Sequence, residues 1–428
     1  MGTGDRTKRH PPFFYGWIIV GLAFLSTGVW ASMRTTFSVL LVALLEEFRW
    51  SRAGGAGVQS LAFVVYTCAA PAVGALIDRV GPRRVILPGI LLLTAGLCLS
   101  ARIQSLAQFY VFYGLIVGLG VTGVSIVAYS AILAHWFERR RGTASGIAVS
   151  GMGLVTFALV PLTQYVIDQA GWRTAFLVLG GLVFLLLFPA TAVFLRHTPQ
   201  DMNLRPDGAA PMSGEHTGLR IIDASWAQTE WTLARASREG RFWALLAFAF
   251  LAIIPVYMLV IHAAQFLVDC GFTRMTAALM IALVGVVSSG FRILWGWLSD
   301  QVGREITFTC GAGCLAAGAL CLFSLHDAQF PLPAYLFVLF FGAGWGATAP
   351  TFMSVSADLF QGRSFGLIYG VTEAVIGLGS AIGPWLAGFM FDRTESYRPA
   401  FLVALGLSAL SAGAVWLAAP RKVRSPGR

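Results

Sequence analysis

Three charged side chains, Arg34, Arg292 and Glu373, stand inside long apolar runs of this sequence, and their types belong to one kind of chemistry. A guanidinium presents a planar fork that matches a carboxylate through two parallel hydrogen bonds, which an ammonium does not reproduce. A carboxyl group nearby can take up and release a proton. In mid-bilayer each such charge is unfavourable by roughly 2.5 to 3.5 kcal/mol on insertion scales, so these residues are expected to face a water-filled path. Arg292 lies eight residues before Asp300 and Glu373 about nine into its own run. At about 1.5 Å per residue both are roughly 12 to 14 Å deep, a match that permits an ion pair, on which the charge count below relies. Arg34, in the outer half of its run, is placed either to reach the same cavity or to snorkel outward.

Neutral donors lie on the same runs: Tyr129, Tyr257, His262, Ser288 one turn before Arg292, and Tyr369 one turn before Glu373. Each is a candidate hydrogen-bond partner for a carboxylate, with plain helix packing as its alternative. The imidazole of His262 could also relay a proton. Other chemistry is missing. Gly118-Leu-Gly120-Val-Thr-Gly123 has the dinucleotide-binding spacing, but it lies in mid-run with no preceding strand, so helix packing explains it better. No nucleophile and base, P-loop or metal cluster is legible, and the six cysteines are scattered. The sequence therefore predicts no enzyme activity, no metal and no cofactor.

These residues must be positioned by membrane helices. The chain has 428 residues that are 57% hydrophobic and 12% charged, too apolar for water to cover. Apolar runs of about twenty residues or more match about 30 Å of hydrocarbon, and twelve of them are expected, near 15–43, 55–77, 84–102, 107–135, 143–167, 174–195, 242–267, 275–298, 306–325, 333–358, 364–390 and 400–419. The fold class expected is an all-α membrane protein of two pseudo-symmetric six-helix bundles: residues 1–196, a polar linker at 197–240, and residues 241–428. The net charge of +10 does not signal nucleic acid. Of the Lys and Arg, 21 fall on the side of the two termini, 7 on the other, and 2 remain inside spans. That asymmetry predicts cytoplasmic termini, with the basic clusters against lipid headgroups. The first run is too long for a signal peptide and is read as span one.

The halves repeat. Gly74-Ala-Leu-Ile-Asp78-Arg79-Val-Gly81-Pro-Arg83-Arg84 recurs as Gly296-Trp-Leu-Ser-Asp300-Gln-Val-Gly303-Arg304, and Trp172-Arg173-Thr-Ala-Phe176 recurs as Tyr397-Arg398-Pro-Ala-Phe401. Internal duplication in an all-helical membrane chain is the signature of a transporter built from two rocking bundles. The 74–84 stretch resembles the signature loop of the major facilitator superfamily. Asp78, with Arg79, Arg83 and Arg84, is expected to form a charge relay between bundles in one state and release it in another. Phe13-Phe14-Tyr15-Gly16-Trp17, the LLEEFRWSRA stretch from Leu44, His135-Trp136-Phe137 and Phe291-Arg292 resemble the bacterial monocarboxylate and oxalate/formate branch more closely. That resemblance implies that Arg292 holds the substrate carboxylate and that the chain sits in a bacterial inner membrane. It also shows departures, since Ser288 stands where eukaryotic carriers of this kind have an acidic residue, and Glu373 occupies the span where the oxalate exchanger has a lysine.

The function expected is co-transport of a proton with a small monocarboxylate; the proton sits on Glu373 and the chain acts as a monomer. If Arg292 and Glu373 neutralise one another when empty, both half-loaded forms carry uncompensated charge and are held back. Organic anion exchange and proton-coupled drug efflux remain as alternatives.

Overall fold

The computed structural model describes residues 14–208 and 220–425. Phe13, the middle of the linker and the last three residues lie outside the described residues. Because lipid offers the backbone no partners, the apolar runs must be helices, and they are: α1 (Gly16–Phe48), α2 (Arg52–Val80), α3 (Arg83–Ser100) and α4 (Leu106–Trp136) open the chain. A continuous helical run, Arg141–Phe194, contains two spans. At Gly171 the backbone leaves the helical region (φ 80°, ψ 165°), which divides it into α5 at 141–170 and α6 at 172–194. The second half holds α7 (Gly240–Asp269), α8 (Arg274–Val302), α9 (Arg304–Ser324), α10 (Leu332–Phe360), α11 (Phe365–Thr394) and α12 (Arg398–Ala418). Twelve spans thus stand among the described residues.

The repeat extends to local stereochemistry. Ser51 and Thr273 cap α2 and α8 by accepting from the backbone N–H of Gly54 and Thr276. Both helices end at a glycine with positive φ, Gly81 at 86° and Gly303 at 97°, a conformation that other residues adopt only under strain. The chain turns there into the next span. One expectation is corrected: α4 is not unbroken around its glycines. A π-helical stretch, Tyr110–Val117, precedes them and the helix restarts at Ser125, whose hydroxyl accepts from Val127 N–H. The packing role holds, because a Cβ on Gly89 would lie 3.0 Å from Gly123 Cα.

Two hydrophobic cores result, one centred on α1 to α6 and the other on α7 to α12. The described parts of the linker are docked against the face that carries both termini, here called the terminal face. Asp207 accepts from the backbone N–H groups of Glu138, Arg139 and Arg140 at 2.9, 2.7 and 3.2 Å. Trp226 Nε1 donates to Leu359 O at 2.7 Å, and Arg220–Ile221 pairs antiparallel with Arg424–Ser425.

Candidate functional site

The bundles meet along two seams, α2 with α11 and α5 with α8. Small residues bring the backbones together, and they recur at matching positions of the repeat. On the first seam, a Cβ at Gly366 would meet Gly74 O, one at Gly370 would meet Ala70 O and one at Gly377 would meet Thr67 Oγ1, all between 2.6 and 2.7 Å. On the second, Gly142 faces Gly296, Gly146 faces Arg292 O and Gly153 faces Ser289 Oγ. The two sets correspond one to one, 222 residues apart on α2 and α8 and 224 apart on α5 and α11. Each seam is therefore a copy of the other.

Arg292 and Glu373 lie on different copies. Both are 5% exposed. Arg292, on α8, donates from Nη1 to Val149 O of α5 at 3.0 Å, and its guanidinium carbon lies 5.8 Å from the ring centre of Trp345 on α10. Its Nε has no partner, nor has the Ser288 hydroxyl one turn away. Glu373, on α11, accepts from Tyr66 Oη of α2 at 3.1 Å and from Tyr369 Oη at 3.0 Å. The ion pair between Arg292 and Glu373 used in the charge count is not formed: among the described residues no carboxylate oxygen lies within 4.0 Å of Arg292. Equal depth did not bring them together because they stand on opposite seams.

Arg34 of α1 packs instead against Tyr66, the residue that donates to Glu373. Its guanidinium carbon lies 4.2, 4.7 and 5.0 Å from the ring centres of Trp30, Tyr66 and Phe63. Tyr66 thus holds the arginine on its ring face and the carboxylate on its hydroxyl. It was not among the candidates from sequence, where it reads as one more aromatic residue in a span.

Towards the terminal face the bundles are locked. Asp78 accepts from the backbone N–H groups of Gly366 and Leu367, each at 2.8 Å, and so sits on the N-terminus of α11. Its repeat, Asp300, accepts from Gly142 N–H and Thr143 N–H at 2.8 and 2.7 Å, on the N-terminus of α5. A carboxylate there satisfies free backbone donors and the positive end of the helix dipole. Between the caps, Asp358 of α10 pairs with Arg141 of the other bundle at 2.5 Å and with Arg304 at 2.9 Å, while Arg304 also reaches Asp300 at 2.7 Å.

This corrects the expected relay. Arg83 donates to Ala192 O inside its own bundle, and neither Arg79 nor Arg84 has an ion pair among the described residues. Arg141, Arg304 and Asp358 carry the cross-bundle charges, and the sequence reading missed them because Asp358 stands at the very end of its span, where an acid looks like a solvated helix terminus. Among the described residues, every hydrogen bond and ion pair between the bundles lies between this face and the level of Glu373 and Arg292.

Three other candidates make no hydrogen bond to Arg292 or Glu373. His262 has Nδ1 3.2 Å from Tyr397 Oη and Nε2 3.0 Å from Pro384 O, so both ring nitrogens are engaged between α7, α11 and the start of α12. The packing alternative describes it. Tyr129 is wholly buried in the N-terminal core with its hydroxyl unpaired. Tyr257 is partly buried against the C-terminal core and makes no side-chain hydrogen bond among the described residues.

The family model of the Major Facilitator Superfamily matches residues 17–372 and 330–428. Monocarboxylate transporter 11 of Mus musculus is 29% identical over 427 residues, covering 96% of this chain and 89% of its own. Monocarboxylate transporter 2 of Homo sapiens is 25% identical, covering 95% and 86%. In fold, the chain is similar to the proton:xylose symporter XylE (TM-score 0.70, 16% identity, 94% and 95% covered) and to FucP in its outward conformation (TM-score 0.69, 16% identity, 95% and 99% covered). With nearly its whole length matched, and with two repeated bundles meeting along two repeated seams, the chain belongs to the Major Facilitator Superfamily and is a membrane transporter, not an enzyme.

Proposed function

We propose that the chain carries small monocarboxylates together with protons by alternating access, with the terminal face in the cytoplasm of a bacterial cell. The observation that carries this reading is Arg292: a buried guanidinium with no counter-carboxylate among the described residues, a free Nε, and the unpaired Ser288 hydroxyl one turn away. A buried cation of this kind favours an anion, and a carboxylate offers it two charge-assisted hydrogen bonds. The similarity to monocarboxylate transporters supports the same class of substrate.

Glu373 is the proposed proton site. Its coupling cannot come from mutual neutralisation with Arg292, since the two are apart. With Arg34 counted, the empty site with ionised Glu373 and the site holding one monoanion and one proton carry the same net charge, so the cycle transfers no net charge. The unpaired Arg292 also favours a second reading, anion exchange, because returning empty would carry an uncompensated cation past the seal.

Uptake of lactate into proteoliposomes under an inward proton gradient tests both. Symport predicts accumulation above equilibrium that Arg292→Ala abolishes. Counterflow without net accumulation would select exchange, and no carboxylate transport in either format would refute the carboxylate reading.

A further inference from the structure

Superposing the repeat places Val149 at the position of Glu373 and Ser288 at that of Tyr66. At this one level each seam carries a single side-chain hydrogen bond between the bundles: Arg292 to Val149 O on α5 and α8, and Tyr66 to Glu373 on α2 and α11. Both stand just inside the locked terminal face, so that face cannot part until both are released. One bond ends on the group proposed to bind the anion and the other on the group proposed to bind the proton.

Resting on the proposed carboxylate and proton transport, we propose that these two bonds are latches, one released by the substrate anion and the other by the proton, so that the terminal face opens only when both are aboard. Tyr66 is then the positioning residue of the proton latch. An incoming carboxylate is a stronger acceptor than the uncharged Val149 carbonyl, and it draws Arg292 off α5 towards the free Ser288 hydroxyl. A proton arriving on a Glu373 oxygen turns an ionised acceptor of two phenolic O–H groups into a neutral carboxyl, and hydrogen bonds to neutral groups are roughly half as strong. The anion alone releases the bond on one seam and the proton alone releases that on the other. Coupling follows without the pairing of Arg292 and Glu373 that the structure lacks.

The groups facing Glu373 are Tyr66 on α2, Tyr369 on α11 itself and Arg34 on α1 behind the Tyr66 ring. From α7, packed along α11, the titratable His262 is bonded at Pro384, about three turns further on. Tyr66 and Tyr369 both donate to Glu373 in the closed state, a pair of bonds that holds the latch shut until a proton arrives from the open side.

The test uses the full chain in nanodiscs with spin labels at two exposed terminal-face positions on opposite bundles, Arg139→Cys and Arg363→Cys, the six native cysteines being replaced. Wild-type protein is expected to lengthen this distance in acid with lactate and in neither condition alone. Tyr66→Phe should open with lactate at neutral pH, and Glu373→Gln provides the same readout without relying on the phenol. Arg292→Gln should open in acid with no lactate present. A Tyr66→Phe variant that keeps the wild-type acid requirement, or an Arg292→Gln variant that stays closed in acid, would overturn the latches. Failure of lactate to shift the wild type at any pH would count against the carboxylate reading alone, while the acid response of Arg292→Gln still decides the latches.

Discussion

Glu373 and Val149 hold the same place in the two halves of the chain, yet one supplies a carboxylate to Tyr66 and the other a carbonyl to Arg292. The scaffold is symmetric at this level and the chemistry is not. Charges of opposite sign on opposite seams allow one fold to read two ligands at once.

Replacing Arg292 separates charge from geometry. Arg292→Lys keeps the charge and loses the fork, and should weaken carboxylate binding by about 10-fold or more, given about 1.5 to 3 kcal/mol for a hydrogen bond to a charged group. Arg292→Ala should abolish binding. Thermal stabilisation of the purified protein by lactate measures both, and equal affinity in the lysine variant would refute bidentate recognition.

Asp358 holds two arginines and is 3% exposed. Asp358→Asn leaves Arg141 and Arg304 short of a counter-charge in the closed terminal face, and breaking a buried pair costs about 3 to 5 kcal/mol. Glu305→Gln, whose only ion-pair partner Arg421 among the described residues is half exposed at 4.0 Å and whose acceptor for Arg421 N–H the amide retains, should have a smaller effect. Thermal unfolding of both variants gives the comparison, and similar shifts would count against the Asp358 lock.

Asp78→Asn and Asp300→Asn should each destabilise the closed terminal face by about 0.5 to 2 kcal/mol, the range for loss of a helix cap. Asparagine keeps an acceptor but loses the charge, so the effect should sit at the low end and shrink in salt. Cysteine-accessibility labelling at the terminal face reads the change. Asp300→Asn also loses the buried pair with Arg304 and should have the larger effect of the two, whereas Arg79→Ala should leave accessibility unchanged.

Gly370→Ala inserts a methyl group 2.6 Å from Ala70 O, with backbone rather than a flexible side chain in the way. Gly146→Ala should act in the same manner on the other seam. Both should shift the protein towards the open terminal face while leaving each bundle folded, as an interbundle distance measurement would show. Gly413→Ala, with open space around its Cβ, is the control.

His262→Gln removes a residue whose two nitrogens are already bonded to Tyr397 and Pro384. A stability loss of about 1 kcal/mol is expected, with the pH profile of transport unchanged. A displaced pH profile would return His262 to the proton path.

Much of this protein was legible in the sequence by itself. Twelve spans followed from run lengths because a bilayer demands helices of one length, and the duplication around Asp78 and Asp300 announced two related bundles. Arg292 and Glu373 stood out for the same reason, since a charge in hydrocarbon needs an explanation wherever it points. What only the tertiary structure decided is who faces whom. Depth along a helix can be counted from residue numbers, but the rotation of each helix and its choice of neighbour arise from packing across seams built by Gly142, Gly146, Gly366 and Gly370. For that reason Arg292 and Glu373 could be placed at one level and still not be seen to lie on opposite sides, and Tyr66 and Asp358 acquired roles that no local pattern marks.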